Sequence, residues 1–177
     1  MTTHQAPGTE RRWTTGRILI AGAVAAMVAM WAYILYLAIG PGRQPPPDRL
    51  DDPTFATAAQ ERCSEALDDV AALPRAGDTA TPGERADVVE AANSIFTVML
   101  EDIEGLAPAG EDGEIVLEWV ADWRTYLGDR SDYAEALRSD PKADLLVSAK
   151  DNDQITKHID AFAADNKMIS CGTPIDV

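Results

Sequence analysis

The sequence predicts an all-α protein, with one N-terminal transmembrane helix followed by a four-helix-bundle-like exported domain. Three observations predict it. Residues 18–39, ILIAGAVAAMVAMWAYILYLAI, contain no charged side chain. Beyond residue 52, apolar side chains recur at spacings of three and four, with capping residues ahead of the runs and few β-branched alternations. Charge is also divided. Residues 1–49 hold five Arg against two Asp/Glu, a net of +3; residues 50–177 hold ten Lys/Arg against 28 Asp/Glu, a net of −18, and the two sum to −15.

Residues 1–17 have no apolar periodicity and read as a disordered cytoplasmic tail. Residues 18–39 then make a helix of about 33 Å at 1.5 Å per residue, enough to cross a hydrocarbon core of ~30 Å. The run exceeds the roughly 7–15 apolar residues of a signal peptide. Ala38 and Gly40 form a small-x-small pair, but Pro41 follows and disfavours cleavage there. An uncleaved anchor is therefore expected, with the lipid bilayer as its partner. Arg11, Arg12 and Arg17 precede the span and Arg43 and Arg49 follow it, which favours N-terminus in and C-terminus out, across a plasma membrane. Ala21, Ala25 and Ala29 share a face, the spacing that permits self-association or docking on a partner helix.

Residues 40–51 are rich in Pro and Gly, and Pro45, Pro46 and Pro47 favour an extended spacer. The exported domain is expected over 52–177. Its first helix spans about Pro53 to Leu73, with Asp52 as cap and Phe55, Ala59, Cys63, Leu67 and Val70 on one stripe. The second spans about Pro82 to Leu106 and opens on the capping box Thr81-Pro82-Gly83-Glu84. The third begins near Asp112 and carries Val116, Trp119, Val120, Trp123, Tyr126 and Leu127; Gly128 should end or kink it. A shorter piece follows, capped by Ser131, with Tyr133, Ala134 and Leu137 inward. Residues 143–149 fit a buried extended segment or a helical turn. The last helix spans about Asp153 to Asn166, with Asp151-Asn152-Asp153 as its cap, and the tail from Met168 is non-helical.

Cys63 and Cys171 are the two cysteines, and an exported domain sits in an oxidising space, so they are expected to pair. No cofactor, metal site or catalytic set is expected. Nucleophile-elbow, zinc-protease, P-loop and dinucleotide motifs are missing from the sequence. His158 lies on the flank of the last helix, and Asp151 and Asp153 begin a calcium-loop pattern that Ile155 and Thr156 break. The acidity of the domain argues against nucleic acid as a partner. The most distinctive cluster is Trp119, Trp123, Tyr126 and Tyr133 with Arg130 among them. At helical spacing such a cluster packs a core, and it is also where a partner or ligand surface would lie.

Residues 122–141, DWRTYLGDRSDYAEALRSDP, and 155–171, ITKHIDAFAADNKMISC, resemble an uncharacterised group of actinobacterial single-pass membrane proteins. The resemblance runs from the third exported helix to the end. It implies an envelope location and assigns no activity. The reading that follows is a membrane-anchored, non-enzymatic interaction module or accessory subunit. The alternative is a small-ligand sensor or carboxylate-using enzyme with a pocket near Trp123 and Tyr126.

Overall fold

A computed structural model describes residues 15–39, 46, 48–75, 78–79 and 81–174. The chain divides into two units, one ending at Pro45 and one beginning at Pro46. Most of the expected tail (1–14, with His4, Arg11, Arg12 and Trp13) and of the linker (40–45 and 47) lies outside the described residues, as do 175–177.

The first unit contains α1, Thr15–Ile39, whose apolar window has a mean hydropathy of 2.3 and buries none of its side chains. A helix that is apolar all round needs a non-aqueous surrounding. Its 25 residues give about 37 Å of rise, so it is of membrane length.

The second unit is the helical domain. α2 runs Pro53–Ala71, with Asp52 accepting from the Thr54 amide at 2.8 Å and proline in the first turn. α3 runs Pro82–Gly105 and carries the expected capping box: Glu84 N–H donates to Thr81 Oγ1, and the Thr81 N–H donates to Glu84 Oε2. α4 is one helix, Glu111–Ser139, where a break at Gly128 and a new cap at Ser131 were expected. The apolar stripe explains the difference. Trp119, Val120, Trp123, Tyr126, Leu127, Arg130, Tyr133, Ala134 and Leu137 keep one phase across Gly128, and all are buried. A mid-helix glycine costs about 1 kcal/mol, less than that shared face contributes.

Residues 143–148 lead to β1 without helix or strand. Ala143, Leu145 and Val147 are half-buried against the core, while Leu146 between them is 81 % exposed. Asp129 holds the segment by accepting from Ser148 N–H and Oγ–H at 2.8 and 2.7 Å. A two-residue hairpin follows: β1 (Ala149–Lys150) pairs antiparallel with β2 (Asp153–Gln154). Asp151 and Asn152 make its turn, both at positive φ, the type I′ geometry that matches strand twist. Asp153 therefore belongs to a strand, and the cap position of α5 (Ile155–Asp165) falls on Gln154, which makes no side-chain cap.

Two residues past the end of α5, Lys167 is left-handed at φ 61°. Met168 N–H donates to Ala163 O and Lys167 N–H to Ala164 O, a Schellman closure without glycine. This reversal sends the chain back as one turn of 3-10 helix, Ile169–Cys171, within the tail expected to be non-helical. α3 packs on α2 and most extensively on α4, and α4 packs on α5. Among the described residues α2 and α5 are not neighbours. The 3-10 turn lies between them, packs on both and closes the bundle.

The Cys63–Cys171 disulfide staples that turn to α2 across 108 positions. Removing it by Cys63→Ala with Cys171→Ala should lower the unfolding free energy by about 2–5 kcal/mol. Urea melts of the full chain in detergent measure this, and unchanged stability would contradict a structural role.

The glycines of α4 give an opposed pair. A methyl group at Gly128 meets nothing, whereas at Gly113 it collides with the Pro108 carbonyl oxygen. Gly128→Ala should stabilise the domain by about 0.5–1 kcal/mol, and Gly113→Ala should destabilise it by about 1–3 kcal/mol. The same melts compare the two signs.

Candidate functional site

Trp119, Trp123, Tyr126, Arg130 and Tyr133, the expected partner or ligand surface, lie in the interior. They are corrected here from surface to core. The cause is their register: all five fall on the stripe of α4 that faces α3 and α5. The Trp123 ring sits 5.6 Å from Phe96, 5.8 Å from Tyr126 and 6.4 Å from Trp119, and Trp119 lies 5.2 Å from Phe162. Buried indoles need acceptors. Trp119 Nε1–H donates to Ile159 O and Trp123 Nε1–H to Cys171 O, each at 3.2 Å. The aromatics thus tie α4 to α3, to α5 and to the stapled turn. Neither Trp123 nor Tyr126 lines the cleft at the stapled end or the smaller one beside Leu50.

Arg130 is 2 % exposed and has no carboxylate partner among the described residues. Its guanidinium lies between the rings of Phe96 and Tyr126, 5.8 and 5.7 Å from their centroids. Nε–H donates to Asn93 Oδ1 at 2.6 Å, and Asn93 Nδ2–H donates to Ser131 Oγ at 3.2 Å. Two aromatic faces and one neutral amide therefore carry a buried cation. Ser131, expected as a helix cap, serves this network instead.

Charged side chains at the surface form short bridges between elements. Lys150 Nζ reaches Glu118 and Asp122 at 2.8 Å, tying the hairpin to α4. Burial lowers the Lys150 pKa, but hydrogen bonds to Asp122 and Glu118 outweigh it and leave the ammonium above its ordinary 10.5. The hydrogen bond from Lys150 holds Glu118 below its ordinary 4.5. Arg138 bridges α4 to Asp87 and Glu90 of α3, and Arg124 pairs with Glu104. His158 is half-buried, with Nε2 3.0 Å from the Lys150 carbonyl oxygen. Among the described residues no three His, Cys, Asp or Glu side chains come together as a metal site.

An open cleft of about 950 Å³ lies at the stapled end of the domain. Leu67, Val70 and Leu73 of α2 and its exit, Val88 of α3 and Ile169 by the disulfide supply apolar walls. Arg75 and Arg85 supply charge, and Ser170 and Thr173 supply hydroxyls. Sequence reasoning placed Leu67 and Val70 on an apolar stripe and did not single out the two arginines. A signal was present for Arg85: residues 81, 82, 88 and 89, three and four positions away, are Thr, Pro, Val and Val, so no carboxylate of its own helix pairs with it.

The chain matches no known protein-family model, no curated protein and no solved structure. Function must therefore be argued from this geometry.

The Lys150 bridge gives a pH test. Glu118, with its pKa depressed, contributes stability present above 4.5 and lost as pH falls. Lys150, with its pKa raised, contributes stability present below 10.5 and lost as pH rises. Lys150→Met should therefore lower the melting temperature most between these limits, with the gap to the unmodified protein narrowing outside them. Thermal melts across pH read this, and a gap independent of pH would contradict the bridge.

Proposed function

We propose that this chain is a single-pass membrane protein, with its N-terminus cytoplasmic and its acidic helical domain outside. There it acts as a non-enzymatic interaction module or accessory subunit at the cell envelope. The observation that carries the reading is the Cys63–Cys171 disulfide, which belongs in an oxidising compartment and is built into the closure of the domain. The membrane-length α1 places an anchor ahead of that domain. The arginines before the span support the orientation. The filled aromatic core and the short surface bridges suit a rigid body that presents a face to a partner. The resemblance of residues 122–141 and 155–171 to actinobacterial single-pass membrane proteins supports an envelope location.

Two measurements test this. A periplasm-active phosphatase fused after Val177 should be active, and a reporter active only in the cytosol should be silent; the reverse would overturn the orientation. Gentle detergent purification from native membranes should recover the chain with another membrane protein in fixed ratio. Repeated recovery as a partner-free monomer would overturn the accessory role.

A further inference from the structure

The cleft at the stapled end combines features that the interaction reading does not use. The domain has far more carboxylates than cations, and Arg62, Arg124, Arg138, Lys150 and Lys157 each bridge to at least one. Arg75, Arg85, Arg130, Lys142 and Lys167 bridge to none among the described residues, and of these Arg75 and Arg85 line this cleft. Arg85 is held in place: its guanidinium lies over the Tyr133 ring at 5.8 Å, and its Nε–H is buried with no acceptor. A guanidinium fixed over an aromatic ring, with no carboxylate bridged to it and a second arginine lining the same cleft, suits an anion. Apolar walls flank the charge, and Ile169 at the mouth is 82 % exposed. The volume, about 950 Å³, falls within the range of small-molecule sites, roughly 300–1,000 Å³.

We propose that the cleft binds a long-chain fatty acid, its carboxylate at Arg75 and Arg85 and its chain against Leu67, Val70 and Val88. The charge balance selects a monoanion. A domain with 28 Asp/Glu against ten Lys/Arg repels acidic peptides and polyphosphates, and two arginines offset that field only locally. The apolar walls select an amphiphile, whose chain they would cover. The inference is independent of which side of the membrane the domain occupies.

The test uses the full chain in phosphatidylcholine nanodiscs, a diazirine analogue of palmitate, and mapping of the photolabel by mass spectrometry. Label is expected on residues 67–75 and 169–174, displaced by palmitate and not by hexadecanol or hexadecyltrimethylammonium. Arg85→Gln should cut labelling by about tenfold, the loss of a charge-assisted contact, and Arg85→Lys should restore part of it. Arg75→Gln, at an exposed position, should also cut labelling and guards against a folding defect at Arg85. Label confined to α1, equal displacement by the cationic amphiphile, or unchanged labelling of both glutamine variants would overturn the proposal. Cross-linking of two copies through the cleft would assign it to a second chain and would also overturn it.

Discussion

The seam between α2 and α5 is the constraint on which the domain depends. These helices do not meet; one turn of chain, Ile169–Cys171, stands between them. The bonds at that turn reach three elements, α2, α4 and α5. The disulfide fixes it to α2, and Gln60 on the same helix exchanges two hydrogen bonds with Ser170. Trp123 of α4 donates to the Cys171 carbonyl, and Asp160 of α5 accepts from the Thr173 amide. Met168, just before the turn, is fully buried. A three-residue segment of this kind has little apolar area to hold itself down. The covalent link and the side-chain bonds offset the chain entropy that would otherwise free it.

The same economy governs the entry to the domain. Asn166, at the end of α5, accepts from the Leu50 amide and donates to the Asp48 carbonyl. Asp112, in the first turn of α4, accepts from the amides of Asp51 and Asp52. Backbone groups that precede α2 are thereby satisfied by side chains from two helix ends, and the chain is held as it enters the bundle. The acidic surface is spent partly on such tasks and partly on bridges between α3, α4 and the hairpin. Most of these bridges are exposed and individually weak, the Lys150–Asp122 pair being partly buried. Position, more than stability, is what they supply.

Much of this was legible in the sequence, because periodicity and capping report local physics. Asp52, Pro53 and the Thr81–Glu84 box placed the starts of α2 and α3, and the apolar run announced α1. What escaped was tertiary. Gly128 read as a stop, because a local penalty can be counted in sequence while the benefit of one shared face across it cannot. The hairpin at Asp151-Asn152 lacks glycine, and so does the left-handed end of α5 at Lys167, so neither carried its usual marker. The tryptophan cluster was correctly placed on one face, but whether such a face is covered depends on what packs against it. Arg130 was visible on that stripe, since its neighbours at three and four positions are Tyr126, Leu127, Tyr133 and Ala134. The Arg75–Arg85 cleft is assembled from α2 and α3, which pack on each other, and from the tail, which the closure of the seam brings to them.

The most direct measurement of that closure is residue-resolved hydrogen exchange on the oxidised full chain in detergent. The Ser170 amide and the Trp123 indole N–H are the reporters, with the indole assigned through Trp123→Phe. The account predicts that both exchange only as slowly as the core amides of α3 and α4, through opening of the whole domain. Exchange of both at the rate of free residues, while α3 and α4 remain protected, would show that the turn does not close the bundle and would contradict it.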